Sequence, residues 1–355
     1  MADDALRVAL VVPDDTGHGV VRHAHGVARA IERLGGVELD VIEVPAGAGA
    51  ADAARAALDD PRRRRPHLVH VHVTDRLYGD DVDAATATVT AMLRAMPCPT
   101  VVSLHDVPSP DDEPERYRSR SDLYRAVGAL ADGLIVCSEH ERGLVEPLGH
   151  DATVVPLPVV TASRRPAPGR RCSEPATIGV LGFVYPGKGH DDVLAAMSLL
   201  AVVGVPCTLV CVGRTSDGHE DMADDLARRA AIAGVGFRLL GFVPDEELAD
   251  ELARIDVPIV PNRNPSASAS LATWLGHGRC PLVRDGTYAC EIDDRHPGVL
   301  TRYGADGPRS LADAIATALR DPASTWHDHP VGPTPTEVAE LHVDAFRQAL
   351  LVAAR

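Results

Sequence analysis

The feature that most constrains this chain is a repeated alternation. A short apolar run breaks at Gly, Pro or His, and a stretch with helical spacing follows. Residues 6–12 form the first run, nearly all apolar, as a parallel strand buried on both faces should be. The run stops at Pro13, and residues 20–34 carry apolar side chains at helical intervals until Gly35 and Gly36 end them. Residues 37–44, 67–73, 100–104 and 133–137 repeat the strand pattern, and 154–158 close the set. Between them, 46–58 reads as helix or loop, 83–96 and 124–130 as helices, and Ser138 as the cap of another helix. Arg116, Arg118 and Arg120 fall in what reads as a polar loop. Strands alternating with helices predict an α/β fold with a doubly wound parallel sheet and ligand groups at the strands' carboxyl ends.

The pattern then starts again. Residues 161–175 are rich in Pro, Arg and Ser and read as a linker. Strands are expected at 177–181, 207–212, 236–240, 257–260, 280–283 and 298–301, with helices at 192–203, 220–233, 245–254, 268–277 and 310–319. The tail, 334–355, is an amphipathic helix with Val338, Leu341, Val343, Phe346 and Leu350 turned inward. With 355 residues there is length for two cores. The expected organisation is two Rossmann-like domains facing a cleft. The N-terminal domain is 1–160 with the 334–355 helix packing back on it, 161–175 is the linker, and the C-terminal domain is 176–333.

The net charge of −16 argues against nucleic acid or anionic lipid as the main partner, so an anionic ligand needs a local cationic or amide-rich pocket. Aromatic residues make up only 3%, which leaves few stacking platforms. Seven cysteines, with no C-x-x-C pair and mostly in apolar runs, fit buried free thiols in a reducing compartment. The N-terminal stretch lacks the charge pattern of a signal peptide, and no run is long enough to span a membrane. A cytoplasmic protein without stable membrane insertion is expected, and the Ala, Arg, Asp and Gly bias suggests a high-GC bacterium.

Residues 178–200 hold the most telling local pattern: an apolar strand ending in Gly182, a loop with Pro186, Gly187, Lys188 and Gly189, and a helix that Asp191 or Asp192 can cap. Strand, glycine loop and helix start make an anion site, because free backbone N–H groups and the helix dipole point at the loop. Lys188 adds a formal cation. Further loops after strands carry Gly213-Arg214, Gly241-Phe242-Val243, and the serine-rich 262–281 stretch with Ser266, Ala267, Ser268, Ala269 and Ser270. The small residues there let a ligand approach the backbone, and Ser266 or Ser268 also suits a helix cap. His18, His23 and His25 lie around one helix start and His70 and His72 on one strand face, but no metal-ligand spacing joins them, so no metal is expected. Asp81 and Asp83 read as a helix cap, Ser138 to Glu141 as a capping pattern, and the 62–65 arginine run as a solvated loop.

In order and spacing these motifs resemble glycosyltransferase family four, a retaining family of GT-B fold. The matching features are G-x-x-x-P-x-K-G at 182–189, V-G at 212–213, G-F-V at 241–243 and the loop and helix of 265–278. In the first half, Gly17-x-Gly19, the V-H-V-H strand, L-H-D at 104–106 and C-S-E at 137–139 also match. The resemblance covers nearly the whole chain. It implies a nucleotide-diphospho-sugar donor in the C-terminal half, a small-molecule or glycan acceptor in the N-terminal half, and no required metal or other cofactor. Lys188, with Ser266, Ser268, Ala269 and Ser270, would hold the diphosphate beside Gly182, Phe183, Gly213 and Arg214. The backbone of Gly241, Phe242 and Val243 would face the nucleobase. Gly17 and Gly19 would lie near the phosphate and sugar, while His105 and Asp106 would serve the sugar or acceptor. The chain departs from the family at three places: Phe183 replaces an arginine, and Pro265 and Thr273 replace two glutamates. Thr273 can still hydrogen-bond a hydroxyl, and Arg214 or Arg263 can supply the missing cation. A sugar phosphorylase or epimerase of the same fold, or a non-catalytic binding subunit, are the alternatives.

Overall fold

The computed structural model describes residues 5–15, 17–162, 172, 174–263, 265–304 and 306–354. It divides into two compact units, 1–158 with 333–355, and 159–332. Of the expected linker, 163–171 and 173 lie outside the described residues.

The first unit is built on strands β1 (Leu6–Pro13), β2 (Val37–Val44), β3 (Leu68–Val73), β4 (Thr100–Leu104), β5 (Gly133–Val136) and β6 (Thr153–Val154). They form one parallel sheet in the order β2-β1-β3-β4-β5-β6. Its helices are α1 (Gly19–Leu34), α2 (Ala50–Leu58), α3 (Val82–Arg94), α4 (Pro114–Gly128) and α5 (Glu139–Val145). The C-terminal helix Pro335–Ala353 packs on α1 and against β4 and β5. Side chains alternate across a strand, and β3 does so cleanly. Val69, Val71 and Val73 enter the core beneath α2, α3 and α4, while Leu68 enters the opposite core, with Val27, Ile31 and Phe346. His70 and His72 share the face of Leu68, and both are buried.

The second unit runs β7 (Ala176–Leu181), α6 (His190–Val202), β8 (Cys207–Val212), α7 (Asp221–Ile232), β9 (Gly236–Leu239) and α8 (Asp245–Ala253). It continues with β10 (Val257–Val260), α9 (Ala269–Gly276), β11 (Leu282–Arg284), α10 (Thr287–Arg295), β12 (Thr301–Tyr303) and α11 (Pro308–Arg320). The sheet is again parallel, in the order β12-β11-β10-β7-β8-β9, so strand order reverses between β7 and β10. In sheets of this kind the crevice outside that reversal is where ligands sit. Ile178, Val180, Met197, Leu209, Leu226 and Ile315 fill one core, and Val210, Val260, Leu271, Trp274 and Tyr288 the other. Arg279 is wholly buried after α9, where its guanidinium lies 3.9 Å over the Trp326 ring and donates to the carbonyls of Leu252, Asp256 and Thr325. Burial pushes its pKa down to about 9.

Several expectations need correction. The segment with Arg116, Arg118 and Arg120 is the first half of α4, not a loop, with Glu113 as N-cap and Pro114 in the first turn. Its polar composition hid the helix. Helix α10 has no counterpart among the expected elements; it is nine residues long, and Gly286 at its N-cap gives no side-chain capping signal. Helix α6 starts at His190 after Gly189, which caps it in a left-handed conformation. Asp191 and Asp192 therefore lie in the first turn and cap nothing; they pair with Arg229 and Arg263 instead. Strands β6, β11 and β12 are shorter than expected or shifted by one to three residues; β6 and β12 are edge strands, and β11 is only three residues long. Other readings hold: Asp81 caps α3 through the amide of Ala84, and Ser138 caps α5 through that of Glu141. The seven cysteines are free, but only Cys137, Cys207, Cys211 and Cys280 are buried, and Cys98, Cys172 and Cys290 are half-buried. Arg62, Arg63 and Arg64 are exposed and pair with Asp60, Asp40 and Glu38. Among the described residues no helix is long and apolar enough to cross a membrane.

Candidate active site

In the second unit the loops after β7 and β8 meet backbone to backbone. The N–H of Gly182 donates to the Val212 carbonyl at 2.9 Å. Gly213 has φ 148°, and a Cβ there would lie 2.2 Å from the Gly182 carbonyl oxygen. Only glycine fits. Gly213→Ala is therefore expected to cost about 2–4 kcal/mol of stability, from strain plus forced separation of the two loops. Urea unfolding checks this; a loss below about 1 kcal/mol would show that the loops part freely. The turn then continues through Lys188, whose N–H donates to the Tyr185 carbonyl at 3.2 Å. At Gly189, φ 96°, an added Cβ would lie 2.3 Å from the Pro261 carbonyl oxygen, so this loop also presses on the one after β10.

The result is a buried ammonium at the strand reversal. Lys188 is 6% exposed, and its Nζ donates to Ser270 Oγ at 3.1 Å beside Gly182. Among the described residues no carboxylate pairs with it, and burial alone pushes its pKa down to about 8. Ser268 caps α9 through the Leu271 amide, and its Oγ lies 3.2 Å from Ser270 Oγ. The first turn of α9 thus brings backbone N–H groups and the positive end of its dipole to the same place. Gly182, Lys188, Ser268, Ala269 and Ser270 are brought together; Ser266 lies just before them in the loop, partly buried. His190 follows, fully buried, with neither ring nitrogen hydrogen-bonded, and burial and the Lys188 charge lower its pKa to about 4. It is a neutral polar neighbour that the sequence pattern gave no reason to single out.

The remaining second-unit residues are dispersed. Arg214 pairs with Asp217 at 2.5 Å and lies 4.9 Å over the Phe183 ring, while Arg263 pairs with Asp192 at 3.0 Å. The two arginines expected to replace a missing cation are thus already matched with acids. Gly241, Phe242 and Val243 follow β9, two strands from β7; Phe242 is 70% exposed and Val243 packs into the core. Thr273 turns its hydroxyl back to the Ala269 carbonyl at 2.9 Å.

In the first unit Gly17 is exposed and bonded to Asp15, and Gly19 opens α1 after His18, which caps it. His105 differs from expectation, because its ring points inward: Nε2 lies 2.9 Å from His72 Nδ1, and Nδ1 lies 4.0 Å from Cys137 Sγ. Asp106 is exposed and has a left-handed backbone, φ 53°. Such a conformation in a residue other than glycine persists where surroundings fix it. Here Arg120 donates to the Asp106 carbonyl and Tyr124 to the His105 carbonyl, and Thr74 Oγ1 reaches Asp106 Oδ2 at 3.3 Å. Arg120 is 4% exposed and sits 3.3 Å from both Asp75 and Asp112. Sequence reading missed Arg120 as a support of this turn. It also missed a cluster: His23, His72 and His105, from α1, β3 and the end of β4, each offer a ring nitrogen within 4.8 Å of the other two.

Residues 175–321 match the sequence profile of the family Glycosyl transferases group 1. By sequence, the chain matches no curated protein. Among solved structures it is similar to Anabaena HepE in complex with UDP and glucose, at 14% identity and TM-score 0.66, covering 98% of this chain and 97% of that one. It is also similar to sucrose-phosphate synthase from Thermosynechococcus elongatus, at 14% identity and TM-score 0.69, with the same coverage. The lipopolysaccharide outer core galactosyltransferase WaaB gives 11% identity and TM-score 0.63, over 97% of this chain and 99% of that one. Residues 175–321 thus resemble a Glycosyl transferases group 1 domain, within a chain that has the GT-B fold of two Rossmann-like units.

Proposed function

We propose that this chain transfers a sugar from a nucleotide-diphospho-sugar to an acceptor hydroxyl, with retention at the anomeric carbon and without a required metal. The observation that carries the reading is the buried Lys188 ammonium, unpaired with any carboxylate among the described residues, beside the N-terminus of α9 at the strand reversal. A buried charge without a counter-ion is costly, and a diphosphate supplies the counter-ion. As the bond from sugar to diphosphate breaks, Lys188 and the α9 amides stabilise the charge that develops on the leaving oxygen. Ser268 and Ser270 add hydroxyls, Gly182 keeps the space beside the Lys188 ammonium clear, and Gly213 lets the two loops close. The backbone of Gly241, Phe242 and Val243 faces the nucleobase, and Gly17 and Gly19 face the sugar. The exposed Asp106 carboxylate serves the acceptor, with His105 behind it. HepE, solved with UDP and with UDP-glucose, lends support at the level of fold.

Incubation with a panel of UDP-, GDP-, ADP- and TDP-sugars tests the reading. Slow release of one nucleoside diphosphate is expected. Phe183 and Thr273, in place of a cation and a carboxylate, favour one second reading, a non-catalytic nucleotide-sugar binder; nucleotide binding without release would select it. Neither binding nor release would defeat both.

The site also has a pH signature. Diphosphate binding needs the charged ammonium, and the free protein loses that charge as pH rises through about 8. Nucleoside-diphosphate affinity should therefore fall about tenfold between pH 7 and pH 9. A Kd that stays flat over this range would remove Lys188 from the site.

A further inference from the structure

We propose that the first unit binds one borderline transition-metal ion, of the Zn2+ or Co2+ class, through His23, His72 and His105. The three rings come from α1, β3 and the end of β4, and each offers a nitrogen within 4.8 Å of the other two. His72 and His105 are stacked, with centroids 5.2 Å apart and planes 13° apart, and His23 stands edge-on to both at 5.7 and 5.6 Å. Zinc–imidazole bonds of about 2.0–2.1 Å bring ligating nitrogens closer than 4.8 Å, so modest ring rotation closes the site.

A further observation points to a ligand. His72 is completely buried, yet its Nε2 has no hydrogen-bond partner. A buried imidazole nitrogen normally finds one. The hydrogen bond an ion has to displace is the one between His72 and His105.

The donor set chooses the ion. Imidazole without carboxylate suits Zn2+, Co2+, Ni2+ and Cu2+, and gives Mg2+ or Ca2+ nothing to hold. Three protein ligands leave a fourth position for water. His23 is partly solvent-exposed while His72 and His105 are buried, which gives the ion a way in past His23. The second histidine pair on this face, His70 and His342, packs against Phe346, and His342 Nδ1 is bonded to the Val338 carbonyl. The inference rests on this cluster alone and does not depend on the transferase reading.

Calorimetric titration of the chelator-treated full chain with Zn2+ tests it. The expected result is one ion per chain, a raised Tm, no response to Mg2+, and a visible absorption band of tetrahedral type with Co2+. His23→Ala, at the partly exposed edge, should keep the fold by circular dichroism and weaken Zn2+ binding at least about tenfold, the loss that even an outer-sphere partner's removal causes. His105→Gln should do the same. His329→Ala, an exposed control, should change nothing. Unchanged binding in His23→Ala and His105→Gln, or binding lost in His329→Ala, would assign the ion to surface histidines and overturn the proposal, as would no binding at all.

Discussion

Lys188→Ala lowers donor turnover by about 10²–10³-fold, the cost of removing one preorganised group that stabilises a developing negative charge. The effect is large because Lys188 carries the charge on this face with little help. Arg214 is held by Asp217 and Arg263 by Asp192. Release of nucleoside diphosphate from the active donor, followed over time, measures it. The variant should fold at least as well as the wild type, since it removes a desolvated cation with no acid partner. Lys188→Arg should not rescue, because a planar fork does not fit a space shaped for a point charge beside Gly182 and Ser270. Turnover within threefold of wild type in Lys188→Ala would mean that the diphosphate sits elsewhere.

The second large effect is on the first unit. Arg120→Ala leaves Asp75, 7% exposed, without the cation 3.3 Å away, and it leaves the Asp106 carbonyl only the Tyr124 hydroxyl, at 3.2 Å. Breaking a buried ion pair from one side costs about 3–5 kcal/mol. Replacing both partners, as in Arg120→Met with Asp75→Leu, should recover most of that stability. It should not recover turnover, because the left-handed Asp106 turn still lacks the Arg120 donor. Urea melts and donor assays on the two variants separate the contributions. A loss below about 1 kcal/mol in Arg120→Ala would show that solvent replaces the guanidinium.

The sequence could be read well where local pattern and tertiary role coincide. The loop around Lys188 is one such place: the glycine spacing that names the motif is also what the close approaches at Gly189 and Gly213 require. Strands β7, β8 and β10 were legible because a parallel strand covered on both faces is largely apolar. Arg120 was not legible. Nothing local separates it from its neighbours Arg116 and Arg118, and its burial depends on Asp75 and Asp106, far away in sequence. The inward turn of His105 was hidden for the same reason, since its partner His72 lies 33 residues earlier. The triad that His23 completes spans three segments and has no spacing to read.

The central claim is that the loop after β7 and the start of α9 hold a diphosphate through Lys188. Calorimetry with the nucleoside, its monophosphate and its diphosphate tests this most directly, using the base selected by a thermal-shift screen of UDP, GDP, ADP and TDP. In the wild type, affinity is expected to step up sharply on going to the diphosphate. In Lys188→Ala that step should shrink by about 2 kcal/mol or more, while nucleoside affinity stays as it was. An equal step in both proteins would contradict the account.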